Sequence, residues 1–288
     1  MEEQIYKINK IDTFIPKHIF ECGQCFRWNK QIDESYLGIF ENNVLNVRCE
    51  NNEIIFQGIC NGNIKEIITK YFDLERDYEQ IQLKLCKIDE KVKNSVNYGK
   101  GIRLLNQNLW EMIISFIISA NNNIPRIKGI IERMSSKYGN EIVWKNKIYY
   151  TFPTPEQLSK ASIEDLRSLG LGFRDKRVYE TTRIILNNQV DLEKLHNEKD
   201  TEKVRNILLT LPGVGPKVAD CVLLFSTLKR LEAFPVDVWV RRVMNELYIH
   251  NKDEEKVNNN EVIKLARKKY GDLAGIAQQY LFYWKREA

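Results

Sequence analysis

Hydrophobic and polar positions change period once along the chain. Cys25–Lys30, Tyr36–Phe40, Val44–Cys49 and Glu53–Gln57 are short runs rich in Tyr, Phe, Val and Ile. Polar pairs such as Asn42-Asn43 and Asn51-Asn52 separate them, and Asn tolerates the left-handed geometry of hairpin turns. The pattern predicts antiparallel strands. From Asn63 onward the apolar positions fall at helical spacing: Ile64, Ile67, Ile68, Tyr71 and Phe72, then Trp110, Ile113, Ile114, Ile117 and Ile118. The remainder reads as almost only helices, with stops at Gly139-Asn140, Pro153-Thr154-Pro155, Gly170-Leu171-Gly172 and Leu211 to Gly215. The expected fold class is α+β. An antiparallel-sheet N-terminal unit over residues 1–100 packs on a mostly helical body over 101–288, with the last helix, around Ala274–Lys285, folding back toward the first unit.

Composition narrows the function classes. In 288 residues, 43% hydrophobic and 29% charged, there is enough apolar material for packed cores, which excludes a mostly disordered chain. Six cysteines are too sparse for a disulfide scaffold. Glu2 and Glu3 after Met1 give no basic leader, and Met112–Ala120 is far short of the ~20 apolar residues of a membrane span. A soluble cytoplasmic protein with no membrane partner is expected. The net charge of +5 divides unevenly: residues 1–100 carry 14 basic and 16 acidic side chains, and the rest carry 30 and 23. The basic excess of the later part fits an anionic polymer, and equally a solvated surface.

Leu211-Pro212-Gly213-Val214-Gly215 lies between two amphipathic helical patterns, Glu202–Leu211 and Pro216–Leu228. Two glycines let the backbone approach a ligand, and the unpaired N–H groups of the following helix point outward at the positive end of its dipole. Such a turn grips a phosphate without reading a base, although a plain helix–turn–helix connection also suits these residues. Lys217, in the first turn of the second helix, is a candidate amine nucleophile. Twenty residues on, Phe234-Pro235-Val236-Asp237-Val238 sets a single carboxylate among apolar residues, either as a helix cap or as a group that takes a proton. Amine, carboxylate and phosphate grip together describe cleavage of an N-glycosidic bond.

The run Leu211 to Cys221, followed by Pro235-Val236-Asp237-Val238, resembles the helix–hairpin–helix DNA glycosylase superfamily, and within it the bacterial-type 8-oxoguanine DNA glycosylase/AP lyases. Gly23-Gln24-Cys25-Phe26-Arg27-Trp28, Gly101 to Leu105, Asn121 to Ile127 and Gly170-Leu171-Gly172-Phe173-Arg174 match that branch's segments in the same order, from about Phe20 to Phe282. The resemblance implies excision of 8-oxoguanine from double-stranded DNA through a Lys217 Schiff base, with Asp237 as the essential carboxylate, followed by β-elimination. It implies that the Gly23 carbonyl reads N7–H of the lesion, that Cys221 pairs with Lys217 against it, and that Gln278 and Phe282 bond and stack on the flipped base. Asn121 would fill the hole left in the duplex, Arg126 and Arg174 would hold the opposite cytosine, and Phe173 would wedge the stack. Gly213, Val214, Gly215 and Trp239 would hold phosphate.

Trp239 and Lys285 depart from the eukaryotic members, which have a His and its Asp partner there, and Phe173 stands where those members have Tyr. A monomer in the bacterial cytoplasm, associated with the nucleoid, is expected. No cofactor is required by this chemistry, although the resemblance allows a monovalent cation at the hairpin. Cys22-Gly23-Gln24-Cys25 is a lone CxxC without a second pair, so neither zinc nor iron–sulfur is expected. A glycosylase for alkylated or mismatched bases, and a non-catalytic hairpin module that only grips DNA, remain as alternatives.

Overall fold

The structure, a computed structural model, describes residues 2–287, the Glu254 side chain excepted. Five strands, β1 (Glu3–Asn9), β2 (Trp28–Lys30), β3 (Tyr36–Phe40), β4 (Asn43–Glu50) and β5 (Glu53–Ile59), form an antiparallel sheet of order β1-β5-β4-β3-β2. Asn51 and Asn52 close the β4–β5 hairpin with φ of 48° and 64°, the paired left-handed geometry of a tight hairpin turn. The run expected over Cys25–Lys30 is strand only from Trp28. Cys25, Phe26 and Arg27 are all buried, whereas an edge strand alternates its exposure.

The sequence pattern did not foretell β1. Its inward positions are Gln4, Tyr6 and Ile8, while Ile5 faces solvent, so the apolar residues break the two-residue period.

The helices are α1 (Pro16–Phe20), α2 (Ile64–Tyr71), α3 (Tyr78–Cys86), α4 (Glu90–Tyr98), α5 (Leu109–Ser119), α6 (Ile124–Tyr138), α7 (Pro155–Leu158), α8 (Ile163–Ser168), α9 (Asp175–Leu186), α10 (Leu192–Asn197), α11 (Thr201–Leu208), α12 (Pro216–Phe225), α13 (Val238–Met244), α14 (Asn259–Tyr270) and α15 (Ala274–Glu287). Asn63, Asp77, Asp89, Asn108 and Asn123 cap their helices by accepting from backbone N–H groups, each worth about 1 kcal/mol. Between α6 and α7 the chain makes a hairpin, β6 (Glu141–Trp144) and β7 (Lys147–Tyr150), where only helix was expected. Its turn, Lys145-Asn146, takes φ of 49° and 59° without a glycine to mark it. The hairpin lays Ile142 and Trp144 on Ile39, Val44 and Ile59 of the large sheet.

One core fills the space between that sheet and α2, with Phe20 stacked on Trp28 at 4.1 Å and Phe40 on Tyr71 at 3.9 Å. The other surrounds α5, in which every residue from Leu109 to Ile118 is buried, as a helix apolar on all sides demands. Ile81, Leu85, Val92 and Val96 of α3 and α4 already belong to this second core. The chain's last helix, α15, packs on α4 and α13 and so returns to the loop that follows α1. No helix among the described residues is long and apolar enough to cross a membrane.

Candidate active site

The turn 211–215 joins α11 to α12. Gly213 has φ +87°, and a Cβ there would stand 3.0 Å from both Arg177 Cδ and Ile117 Cγ2, so conformation and space both require glycine. Gly215 is the N-cap of α12 and has open space around it, and no side chain caps the helix. The first N–H groups of α12 are therefore left for an anion, at the positive end of the dipole. An Arg205–Asp220 ion pair, nearly buried, ties α11 to α12. The Thr181 hydroxyl donates to the Pro212 carbonyl at 3.0 Å and fixes the turn on α9. Gly213→Ala is expected to cost about 1–2 kcal/mol of stability and to weaken binding of any DNA duplex; thermal melting and a titration at constant salt check the two effects.

Pro216 opens α12, so Lys217 falls in its first turn, half-buried over the Phe116 ring with Nζ 5.4 Å from the ring centroid. One turn on, Cys221 is buried, and the side chain of Lys217 acts on its thiol. Burial pushes the Cys221 thiol up to about 11 although Lys217 opposes the shift, so near pH 7 the group beside the lysine is a neutral thiol. Asp237 also acts on this thiol, its negative charge raising the thiol further. The carboxylate caps α13, Oδ1 accepting from Val240 N at 2.8 Å. Cap and participant in chemistry are thus compatible, because one oxygen makes the cap and the other remains.

Gly23 sits in the loop between α1 and β2 with φ +86°, and a Cβ there would lie 3.5 Å from Phe282 Cε1. Gln278 and Phe282 share a face of α15, and the buried Gln278 Oε1 has no hydrogen-bond partner among the described residues. The carbonyls around Gly23 are engaged: Cys22 O accepts from Gln279 Nε2 at 2.5 Å and Gln24 O from Gln107 Nε2 at 2.8 Å. No donor among the described residues pairs with Gly23 O itself. Phe26, three residues on, meets Phe116 edge-on at 5.5 Å and so links this loop to the ring under Lys217.

A second cluster forms where α5 ends. Asn121 is left-handed, φ +50°, and follows the C-cap Ala120 of that helix. Arg174, 2% exposed, donates to the carbonyls of Ala120 (2.8 Å), Asn121 (2.6 Å) and Leu171 (3.1 Å). In this structure three of its N–H groups hold the Asn121 turn and the neighbouring Leu171 carbonyl. Arg126 is exposed and donates to Gly170 O at 3.3 Å, and Phe173, 54% exposed, lies under the guanidinium groups of Arg174 and Arg177. Trp239, on α13, is also exposed, and Lys285 pairs at 2.6 Å with Glu246 in the π-helical turn after α13.

Several residues that place the site carried no chemical signal. Gln24 is fully buried; it donates to Ile19 O (2.9 Å) and Arg103 O (2.7 Å) and accepts from Leu105 N (2.9 Å). Gln107 joins Gln24 O to Phe225 O, the end of α12. These amides sew the Gly23 loop to the helical body. Gln24 lies in the motif Gly23–Trp28 and Gln107 lies outside the matched segments, and their long-range partners are 79 to 118 residues away. The CxxC thiols are buried, Cys22 pushed up to about 11 and Cys25 raised as well, which leaves them unreactive.

Residues 6–113 match the N-terminal domain of 8-oxoguanine DNA glycosylase, and residues 114–268 match the HhH-GPD superfamily of base excision DNA repair proteins. A probable N-glycosylase/DNA lyase of Methanothermobacter thermautotrophicus is 34% identical over 78% of this chain and 76% of its own. The N-glycosylase/DNA lyase of Saccharomyces cerevisiae is 32% identical over 96% of this chain and 84% of its own. The 8-oxoguanine glycosylase/lyase of Clostridium acetobutylicum, solved on double-stranded DNA containing cytosine opposite 8-oxoguanine, superimposes with a TM-score of 0.92 at 40% identity, covering 99% and 97% of the two chains. With both domain models matched in order along it, the chain belongs to the HhH-GPD superfamily, in the branch that carries the 8-oxoguanine DNA glycosylase N-terminal domain.

Proposed function

We propose that the protein is a bifunctional DNA repair glycosylase that excises 8-oxoguanine from duplex DNA and nicks the abasic strand. The observation that carries it is the Lys217 amine on the first turn of the hairpin helix, over the Phe116 ring and one turn before the buried Cys221, whose thiol feels the charges of both Lys217 and Asp237. The neutral amine attacks C1′ of the flipped nucleotide, and the C1′–N9 bond breaks as the base leaves with the electron pair and takes up a proton. The Asp237 carboxylate stabilises the positive charge that develops on the sugar. Loss of the amine proton and opening of the sugar ring give a C1′ Schiff base, and removal of a C2′ proton expels the 3′ phosphate. The unpaired carbonyl of Gly23 favours a base with N7–H and repels the N7 lone pair of guanine. That preference speaks against the alkylated-base reading.

The enzyme acts as a cytoplasmic, nucleoid-associated monomer. The basic C-terminal two thirds and the uncapped α12 suit a DNA backbone, and a monovalent cation between phosphate and the carbonyls of the turn is part of the proposal. Incubation with an 8-oxoguanine:cytosine duplex and borohydride tests the reading: a covalent adduct supports it, and no adduct rejects it. Affinity should fall steeply with salt. Excision opposite cytosine should exceed that opposite adenine, and Arg126→Ala should narrow the ratio about tenfold by removing a charge-assisted donor, as single-turnover rates on the two duplexes will tell.

A further inference from the structure

Arg286, on the last turn of α15, has no part in the chemistry above. Its Nη2 donates to the Glu21 carbonyl, and Nε is 2.9 Å from Glu287 Oε1. The guanidinium carbon lies 5.1 Å from the centroid of the Phe282 ring. Nη1 is 3.3 Å from the place a Gly23 Cβ would take, and it is buried with no partner among the described residues. A buried guanidinium N–H left unbonded is costly, and such groups concentrate where function needs them.

The chemistry of the lesion says why the loop needs this side chain. Guanine and 8-oxoguanine differ at N7 by one hydrogen, so the reading carbonyl must stand within hydrogen-bond distance and close to the ring plane. Gly23 is the softest kind of residue on which to mount it, at φ +86° with no Cβ to pack. The loop is therefore fixed from outside, at Cys22 O by Gln279 and at Glu21 O by Arg286. Arg286 follows Phe282 by four residues, so the ring expected to stack on the base and the guanidinium that holds the loop share one helix face.

We propose that Arg286 is a specificity-determining positioning residue, which sets the Gly23 carbonyl and the Phe282 ring relative to each other for lesion reading. This rests on the reading of Gly23 given above. The test compares wild type, Arg286→Ala and Arg286→Lys in three assays: single-turnover excision of 8-oxoguanine, excision of guanine, and nicking at a preformed abasic site, which has no base to read. Arg286→Ala should lose 8-oxoguanine excision by on the order of 10- to 100-fold, the worth of one charge-assisted hydrogen bond, and the 8-oxoguanine to guanine ratio should fall with it. Abasic nicking should change less than about threefold, and Arg286→Lys, which keeps a donor toward Glu21, should lie between. Excision and nicking falling together would make Arg286 mere scaffold and overturn the proposal, as would wild-type excision by Arg286→Ala. If the wild-type enzyme nicks abasic DNA but leaves 8-oxoguanine in place, the lesion reading itself fails, which is visible before any variant is compared.

Discussion

Lys217→Gln gives no borohydride-trapped adduct with an 8-oxoguanine duplex, and its excision rate falls by at least on the order of 10³-fold, as loss of a covalent nucleophile does elsewhere. Glutamine keeps most of the aliphatic stem over Phe116, so packing is little disturbed. What it removes is the amine, the group that can form a Schiff base. Duplex affinity should survive, because the uncapped helix start and the exposed Phe173 and Arg126, the proposed DNA contacts, do not involve Nζ. The measurement pairs a trapping gel with a binding titration of the same preparation. An adduct that persists assigns the nucleophile to another amine; affinity lost along with activity means that the substitution damaged the fold.

The two halves of the chain differed in how openly they announced themselves. The hairpin could be read because it is local: two glycines, a proline at the helix start and a lysine lie within a few residues, and Gly213 and Gly215 do what glycines there can do. Asp237 was legible in the same way. By contrast, β1 hid behind an outward-facing Ile5, and β6–β7 behind a Lys-Asn turn whose left-handed pair needs no glycine. Arg174 is expected at the opposite base, and here three of its N–H groups also hold backbone carbonyls, those of Ala120 and Asn121 after α5 and of Leu171 after α8. Sequence marks a guanidinium but not the carbonyls that fill its fork. Gln24, Gln107, Gln279 and Arg286 fall in the same class: each acts through a backbone atom far along the chain, and no periodicity or spacing reports such a bond.

Asp237 offers the cleaner separation of stability from chemistry. Asparagine caps helices about as well as aspartate, so Asp237→Asn should retain the bond from Val240 N and melt within about 0.5 kcal/mol of wild type. It cannot carry negative charge or take a proton, and excision should drop by on the order of 10²- to 10³-fold, the size seen when one electrostatic stabiliser of a charged transition state is removed. Asp237→Ala loses both functions: the same catalytic defect, plus about 1 kcal/mol from an uncapped α13. Single-turnover excision and urea melts on both variants decide the matter. If the carboxylate serves only as a cap, Asp237→Asn will be active and Asp237→Ala merely less stable. If it serves the sugar cation, the two variants will share one rate and differ in stability, since the atom lost from chemistry is the oxygen that the cap leaves free.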